Sequence, residues 1–166
     1  PSEMFLEQRA RSAPGTAVTP CIEGSRPILV EVQALVGAST YGTPQRAAMG
    51  IDKGRLAILT AVLERRAGLS LADRDVFLNV AGGLRIPEPA ADMAAAAAIA
   101  SALFDRPNDP EAVFFGEVGL AGEVRAVANP EARLNEAAKL GFKRCIMPAA
   151  SAGKLPVKPK KLETIP

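Results

Sequence analysis

No histidine and no tryptophan occur in this sequence, and tyrosine occurs once. Without histidine a Ser-His-Asp triad is impossible, and with only two thiols besides, a zinc site within the chain is excluded. Cys21 and Cys145 stand alone and far apart, which fits free thiols in a reducing cytoplasm better than a disulfide framework. Six Phe are the only other aromatics, so packing must rely on Ala, Leu, Val and Ile. Long apolar runs are missing too. The alanine-rich run from Ala90 to Leu103 is shorter than the roughly 18 residues of a spanning helix and contains Asp92, so no membrane partner is expected. The formal net charge is only +2, too small to announce a nucleic-acid partner by itself.

What is present is enough for one ordinary domain. A chain of 166 residues, 48% hydrophobic, buries roughly 70% of its unfolded surface around a single core. Its charge is segregated. From Arg85 to Glu131 there are eight acids (Glu88, Asp92, Asp105, Asp109, Glu111, Glu117, Glu123, Glu131) against three arginines, whereas Lys139 to Lys161 holds seven basic residues and no acid. Such segregation suits subunits meeting head to tail, or a polyanion on one face; its bland reading is a set of solvated surfaces.

Residues 1–13 have little periodicity and read as a linker from an upstream domain, leaving 14–166 as the folded unit. Thr16 to Glu23 and Pro27 to Val36 are β-prone runs around the turn residues Glu23-Gly-Ser-Arg26, which predicts an antiparallel hairpin. Gly37 to Pro44 is expected to be a loop and Arg46 to Ile51 a short strand. Asp52 can cap a helix over Lys53 to Ala67, whose Leu56, Leu59 and Leu63 share one face and which Gly68 ends. The chain is organised around Val76 to Phe104, where a β-branched strand passes through Gly82-Gly83 and Pro87-Glu-Pro89 into the alanine helix. Pro89 suits the first helical turn. Ala112 to Phe115 is a buried strand, the glycines of Gly116 to Val124 suggest a tight hairpin, and Asn129 with Pro130 opens a helix running to Gly141. Lys143 to Met147 is a further strand, and Leu162 to Ile165 opens a last one. Hairpins followed by strand-helix units make the fold α+β or mixed α/β.

A turn that aims backbone N–H groups at a helix start is where enzymes often place a nucleophile or an anion. Here the first turn offers only Ala90 and Ala91, the architecture of a catalytic elbow with no reactive atom. Gly37-Ala-Ser-Thr-Tyr-Gly42 has the glycine spacing of a phosphate loop, but Thr43-Pro44 stands where that motif needs Lys and Ser or Thr. Asp73 with Asp75, and Glu117 with Glu123, are the available carboxylate pairs; solvated strand ends or a hairpin account for them more simply.

The order from the strand and Gly-rich turn, through Pro-x-Pro and a small-residue helix, to Phe114-Phe-Gly-Glu-Val-Gly-Leu-Ala-Gly-Glu-Val124, a helix ending Ala-Ala-Lys-Leu-Gly-Phe and a strand ending Ile-Met-Pro resembles the proteolytic domain of Lon proteases. In that family the first helix begins Pro-Ser-Ala-Gly and the second Gly-Gly-Leu-Lys. The resemblance puts the nucleophile's place at Ala90 and the lysine's at Glu131, so both catalytic groups are missing and no peptidase activity is expected. The match is closer still to the C-terminal domain of the RadA (Sms) family of bacterial DNA repair proteins, carried by Pro27-Ile-Leu-Val-Glu-Val-Gln-Ala-Leu-Val36, Pro44-Gln-Arg46, Arg55-Leu-Ala-Ile-Leu-Thr-Ala-Val-Leu63 and Asp75-Val-Phe-Leu-Asn-Val-Ala-Gly-Gly83. This resemblance implies a two-layer Lon-like fold, also that of ribosomal protein S5 domain 2 relatives. It implies an upstream zinc finger and RecA-like ATPase, so that ATP, Mg and Zn belong outside this chain, which needs no cofactor itself. It further implies a branch-migration helicase in which this domain builds a hexameric ring and contacts single-stranded or branched DNA. A residual serine peptidase, or a protein-interaction module without DNA, is the alternative.

Two basic clusters could carry the DNA contact. Arg46, Lys53, Arg55, Arg65 and Arg66 lie in one strand and the helix after it, and Arg46 and Arg55 match the family motifs. Lys154, Lys158, Lys160 and Lys161 form a second run kept extended by prolines. No aromatic residues interleave either cluster, so contacts are expected to backbone phosphates without sequence preference.

Overall fold

A computed structural model describes residues 13–40, 42–152 and 163–165. The first hairpin forms as the sequence predicts: β1 (Thr16–Glu23) and β2 (Arg26–Ala38) pair antiparallel around a turn in which Gly24 takes a φ of +63°. β2 outlasts its expected end at Val36 because its far half is held by β4 (Arg74–Val80), with Ala38 opposite Arg74. β3 (Arg46–Met49) pairs parallel with β4, and α1 (Lys53–Arg65) follows, its first turn capped by Asp52 Oδ2, which accepts the Arg55 N–H at 3.2 Å. Leu56, Leu59 and Val62 form its buried stripe.

The elbow is tighter than expected. Pro89–Ala91 is a single 3₁₀ turn, and α2 (Asp92–Phe104) begins two residues beyond Ala90. β5 (Ala112–Phe114) leads into the expected hairpin of β6 (Glu117–Val118) and β7 (Val124–Arg125), and α3 (Pro130–Lys139) follows. The expected Asn129 cap needs correction. A capping side chain requires extended backbone at its own residue, whereas Asn129 lies in the left-handed region (φ 56°, ψ 50°) and its side chain makes no cap hydrogen bond. β8 (Arg144–Ile146), the short α4 (Ala149–Ala152) and β9 (Glu163–Ile165), the expected last strand, complete the described chain.

Seven strands form one mixed sheet in the order β3-β4-β2-β1-β5-β8-β9, parallel from β1 outward to β9 and antiparallel at β1–β2 and β2–β4. Alternation sorts each strand between two cores. Ala17, Val30, Val32, Val76 and Leu78 face α1 and α2; Val18, Leu29, Val113 and Phe115 face Leu134 and Ala137 of α3. The two-layer arrangement is therefore corrected to three layers over the β1–β5–β8 half, because the strands there are apolar on both sides. Among the described residues no helix covers the second face over β3, β4 and the far half of β2, and Leu35 and Met49 are 67% and 72% exposed. The alanine helix does what small side chains allow. Ala94, Ala95 and Ala98 are fully buried, and the Gly15 N–H reaches Ser101 Oγ at 2.8 Å. Among the described residues no helix is long and apolar enough to cross a membrane.

Candidate functional site

β4 ends at Val80, Gly82 turns the chain with a φ of 76°, and an irregular segment from Leu84 to Glu88 reaches the elbow. That segment is pinned where the Ile86 N–H meets the Gly50 carbonyl at 2.7 Å. Ala90, the nucleophile's place, is 1% exposed. One amide the elbow might have offered to an anion is spent, the Met93 N–H donating to the Gly116 carbonyl at 3.1 Å, while the Ala90 carbonyl accepts the Gly116 N–H at 2.9 Å. Glu131, the lysine's place, is an exposed residue of the first turn of α3. Neither residue carries the hydroxyl or the amine that the resemblance assigns to its position.

Another pair occupies the neighbourhood. Arg133, 1% exposed on α3, donates through Nη1 and Nη2 to the two Glu88 oxygens at 2.9 and 2.8 Å, to the Pro20 carbonyl at 2.8 Å and, through Nε, to the Ala128 carbonyl at 2.9 Å. Its guanidinium carbon lies 5.9 Å from the centre of the Phe115 ring, within cation–π reach. Glu88 also accepts the Ile22 N–H at 3.0 Å. Burial pushes the Glu88 carboxyl up, but the Arg133 and Ile22 hydrogen bonds and the Arg133 charge outweigh it, so its pKa falls below the ordinary 4.5. Sequence reading passed over this pair. The available signal was Arg133 on the same stripe of α3 as Leu134 and Ala137, a charge where the periodicity calls for an apolar residue.

Beside the elbow lies a cavity of about 380 Å³ between the tip of the first hairpin and the Leu84–Glu88 segment, walled mainly by Ile28, Val30, Leu84 and Ile86. Cys21 also lines it, but burial above all pushes that thiol up to about 12, which disfavours the reactive thiolate. Cys145 is likewise buried and free, its pKa raised by burial.

The cationic candidates separate into different settings. Arg46 donates to the Arg74 carbonyl and, at 2.8 Å, to that of Leu71, with Glu64 3.6 Å away. Arg55 pairs with the buried Asp92 and also reaches the Val118 carbonyl at 3.4 Å. Burial raises the Asp92 pKa despite the Val118 N–H and Arg55 that hydrogen-bond it. Both guanidinium groups are thus engaged in holding α1 to its surroundings. Lys53 and Arg65 are exposed without an ion pair among the described residues, and Arg66 is exposed with Nε on the Leu120 carbonyl at 3.3 Å. Lys154, Lys158, Lys160 and Lys161 lie outside the described residues.

The weaker motifs dissolve into structure. Gly37 is in β2, the Asp75 carboxylate accepts the Gln45 N–H at 2.7 Å, and that of Glu123 accepts the Ala121 N–H inside its own hairpin at 3.1 Å. No group of three or more acidic, Cys or His side chains that could hold a metal ion comes together among the described residues.

Residues 30–151 match the family model described as subunit ChlI of Mg-chelatase. The chain is 52% identical over 165 residues to DNA repair protein RadA of Bacillus subtilis, covering 99% of this chain and 36% of the relative. It is 50% identical over 154 residues to the RadA of Escherichia coli (93% and 34%) and 52% over 151 residues to that of Brucella abortus (91% and 32%). The chain thus spans about a third of the length of the curated relatives it matches. With a matched domain model over most of its length and about half its residues shared with a stretch of these RadA proteins, the chain belongs to the ChlI domain family.

Proposed function

We propose that this chain is a non-catalytic module of a DNA repair protein, joining copies head to tail in a ring and touching DNA through its phosphates. The observation that carries the reading is the elbow, where a buried methyl stands at the position the resemblance gives to the nucleophile and the nearest charged group, Glu88, is tied up in an ion pair with Arg133. ATP, Mg and Zn would serve parts of the longer relatives outside this chain, and the whole protein would work in the cytoplasm. The purified chain is expected to leave an unfolded protein substrate intact. Cleavage that copurifies with the chain and disappears on substitution at the elbow would overturn the non-catalytic reading.

Support for DNA contact comes from the outer stripe of α1. Lys53, Ala57, Ala61 and Arg65 recur every fourth residue and are all exposed, so two cations stand roughly 18 Å apart with only methyl groups between them. Such a stripe suits backbone phosphates and has nothing to read a base edge. Lys53→Ala or Arg65→Ala is expected to lower the salt slope of log K by roughly 0.7 to 0.9 and to weaken all sequences alike. Arg46→Ala and Arg55→Ala should lower thermal stability with little change in slope, because their guanidinium groups already have partners. Fluorescence anisotropy over a salt series, with single-stranded and duplex oligonucleotides, measures this; binding that ignores salt or prefers a sequence would refute it. Lys160→Ala with Lys161→Ala tests the C-terminal run in parallel.

A further inference from the structure

The cavity beside the elbow has aliphatic walls, Ile28, Val30, Leu84 and Ile86, and opens at a rim of exposed residues that includes Glu23 and Arg85. It lies where the cationic stripe of α1 begins. The Ile86 N–H on the Gly50 carbonyl ties the Leu84–Glu88 segment to the turn before α1, so Arg85 stands one residue from that hydrogen bond and Lys53 three. Both are exposed without an ion pair among the described residues. The acids nearby are each matched. Glu88 is paired with Arg133, Glu23 is opposite Arg26 across the hairpin, and Asp52 lies at the positive end of the α1 dipole, where it accepts the Arg55 N–H. Arg85 and Lys53 are left as the uncompensated charges beside the cavity.

An aliphatic slot with two cations at its side suits a flat group with apolar faces, carried on an anionic backbone. A nucleobase is such a group. Its faces can lie against Ile, Leu and Val side chains while its polar edge stays toward the open rim, so burying it strands no donor or acceptor. Aliphatic walls do not tell one base from another, which keeps binding indifferent to sequence. In a duplex the base is stacked and paired, and extracting it costs more than from a single strand. An extended peptide is the poorer occupant: the strand margin beside the cavity is taken, the Pro20 carbonyl by Arg133 and the Ile22 N–H by Glu88, so no main-chain pairing is on offer there. A free apolar molecule would leave the two cations unused.

We propose that this cavity receives one unstacked base of a single DNA strand whose phosphates lie over Lys53 and Arg85. The inference rests on the DNA contact proposed above and adds what selects a single strand over a duplex. The test pairs anisotropy on single-stranded and duplex oligonucleotides with the emission of a single strand carrying one 2-aminopurine between adenines. It is run from low salt upward on the unaltered chain, on Ile28→Phe, which fills the cavity, and on Arg85→Ala. The unaltered chain should bind the single strand about 10-fold more tightly than the duplex, at the lower end of what burying one base contributes. Emission should rise as the 2-aminopurine leaves its stack. Ile28→Phe should bring single-strand affinity down to that of the duplex and abolish the rise, and Arg85→Ala should lower the salt slope of single-strand binding by roughly 0.7. A single-strand preference or an emission rise that survives Ile28→Phe, an unaltered chain lacking either, or an unchanged slope in Arg85→Ala overturns the base site but leaves phosphate contact at α1 standing. A chain that binds neither oligonucleotide at low salt overturns DNA contact as well. Circular dichroism checks that each variant is folded, and Leu84→Phe replaces Ile28→Phe if the latter is not.

Discussion

Arg133→Met is expected to destabilise the fold by about 3 kcal/mol, at the lower end of the cost of breaking a buried ion pair. The lower end applies because Glu88 keeps 24% of its side chain exposed and can regain water, whereas the Pro20 and Ala128 carbonyls lose their donor outright. For a chain of this size the melting temperature should fall by roughly 6 to 12 °C. Glu88→Gln should cost at least as much, since it strands a charge that is 1% exposed, and the double variant should cost less than the sum of the two. The pH dependence follows from the lowered Glu88 pKa. Its contribution is present above the ordinary value of 4.5 and is lost as pH falls through the lower, folded value. Urea unfolding at a series of pH values checks both points: the gap between native and Arg133→Met should be widest near neutrality and close in acid. A gap that widens in acid would mean the pair is not what holds this corner.

That pair also shows where sequence reading stops. The β-branched alternation of β1 and β2, the Asp52 cap and the glycine-spaced hairpin are local signals, and each produced its element at nearly the expected bounds. Glu88 with Arg133 and Arg55 with Asp92 join residues 45 and 37 apart, and no local period records such a pairing. For Arg46 and Arg55 the sequence displays a positive charge and a family motif, but not the carbonyls and carboxylate that receive them. That Ala90 and Ala91 put no reactive atom in the first turn after Pro89 was legible, because it is a fact of the sequence. The ion pair that Glu88 makes just before that turn was not.

Gly50→Ala is the second large effect expected, at about 3 kcal/mol or more. Gly50 has a φ of +85°, which costs an L-residue roughly 1–2 kcal/mol. A Cβ there would also lie 2.5 Å from the Leu84 carbonyl oxygen and 2.6 Å from Val80 Cβ, neither of which is the loose end of a flexible side chain. The turn must then shift, loosening the Gly50–Ile86 hydrogen bond and adding the 1–3 kcal/mol typical of overpacking. Gly24→Ala separates the two contributions, because Gly24 shares a positive φ of +63° but has nothing within 4 Å of the added carbon. Equal losses from the two substitutions, measured by urea unfolding, would show that backbone conformation alone matters at Gly50.

The main-chain groups of Pro20 and Ile22 lie at the margin of β1 where, among the described residues, no neighbouring strand continues, β5 meeting β1 at Val18. Such a margin ordinarily serves as a template on which an extended peptide adds itself as a further strand. Here the template is already read, the carbonyl by Arg133 and the amide by Glu88. A visiting peptide would have to dislodge two charged partners to gain two neutral hydrogen bonds, and charge-assisted bonds are the stronger kind. The stapled margin is therefore closed as a docking track for an extended peptide, and opening it would require the Glu88–Arg133 pair to come apart.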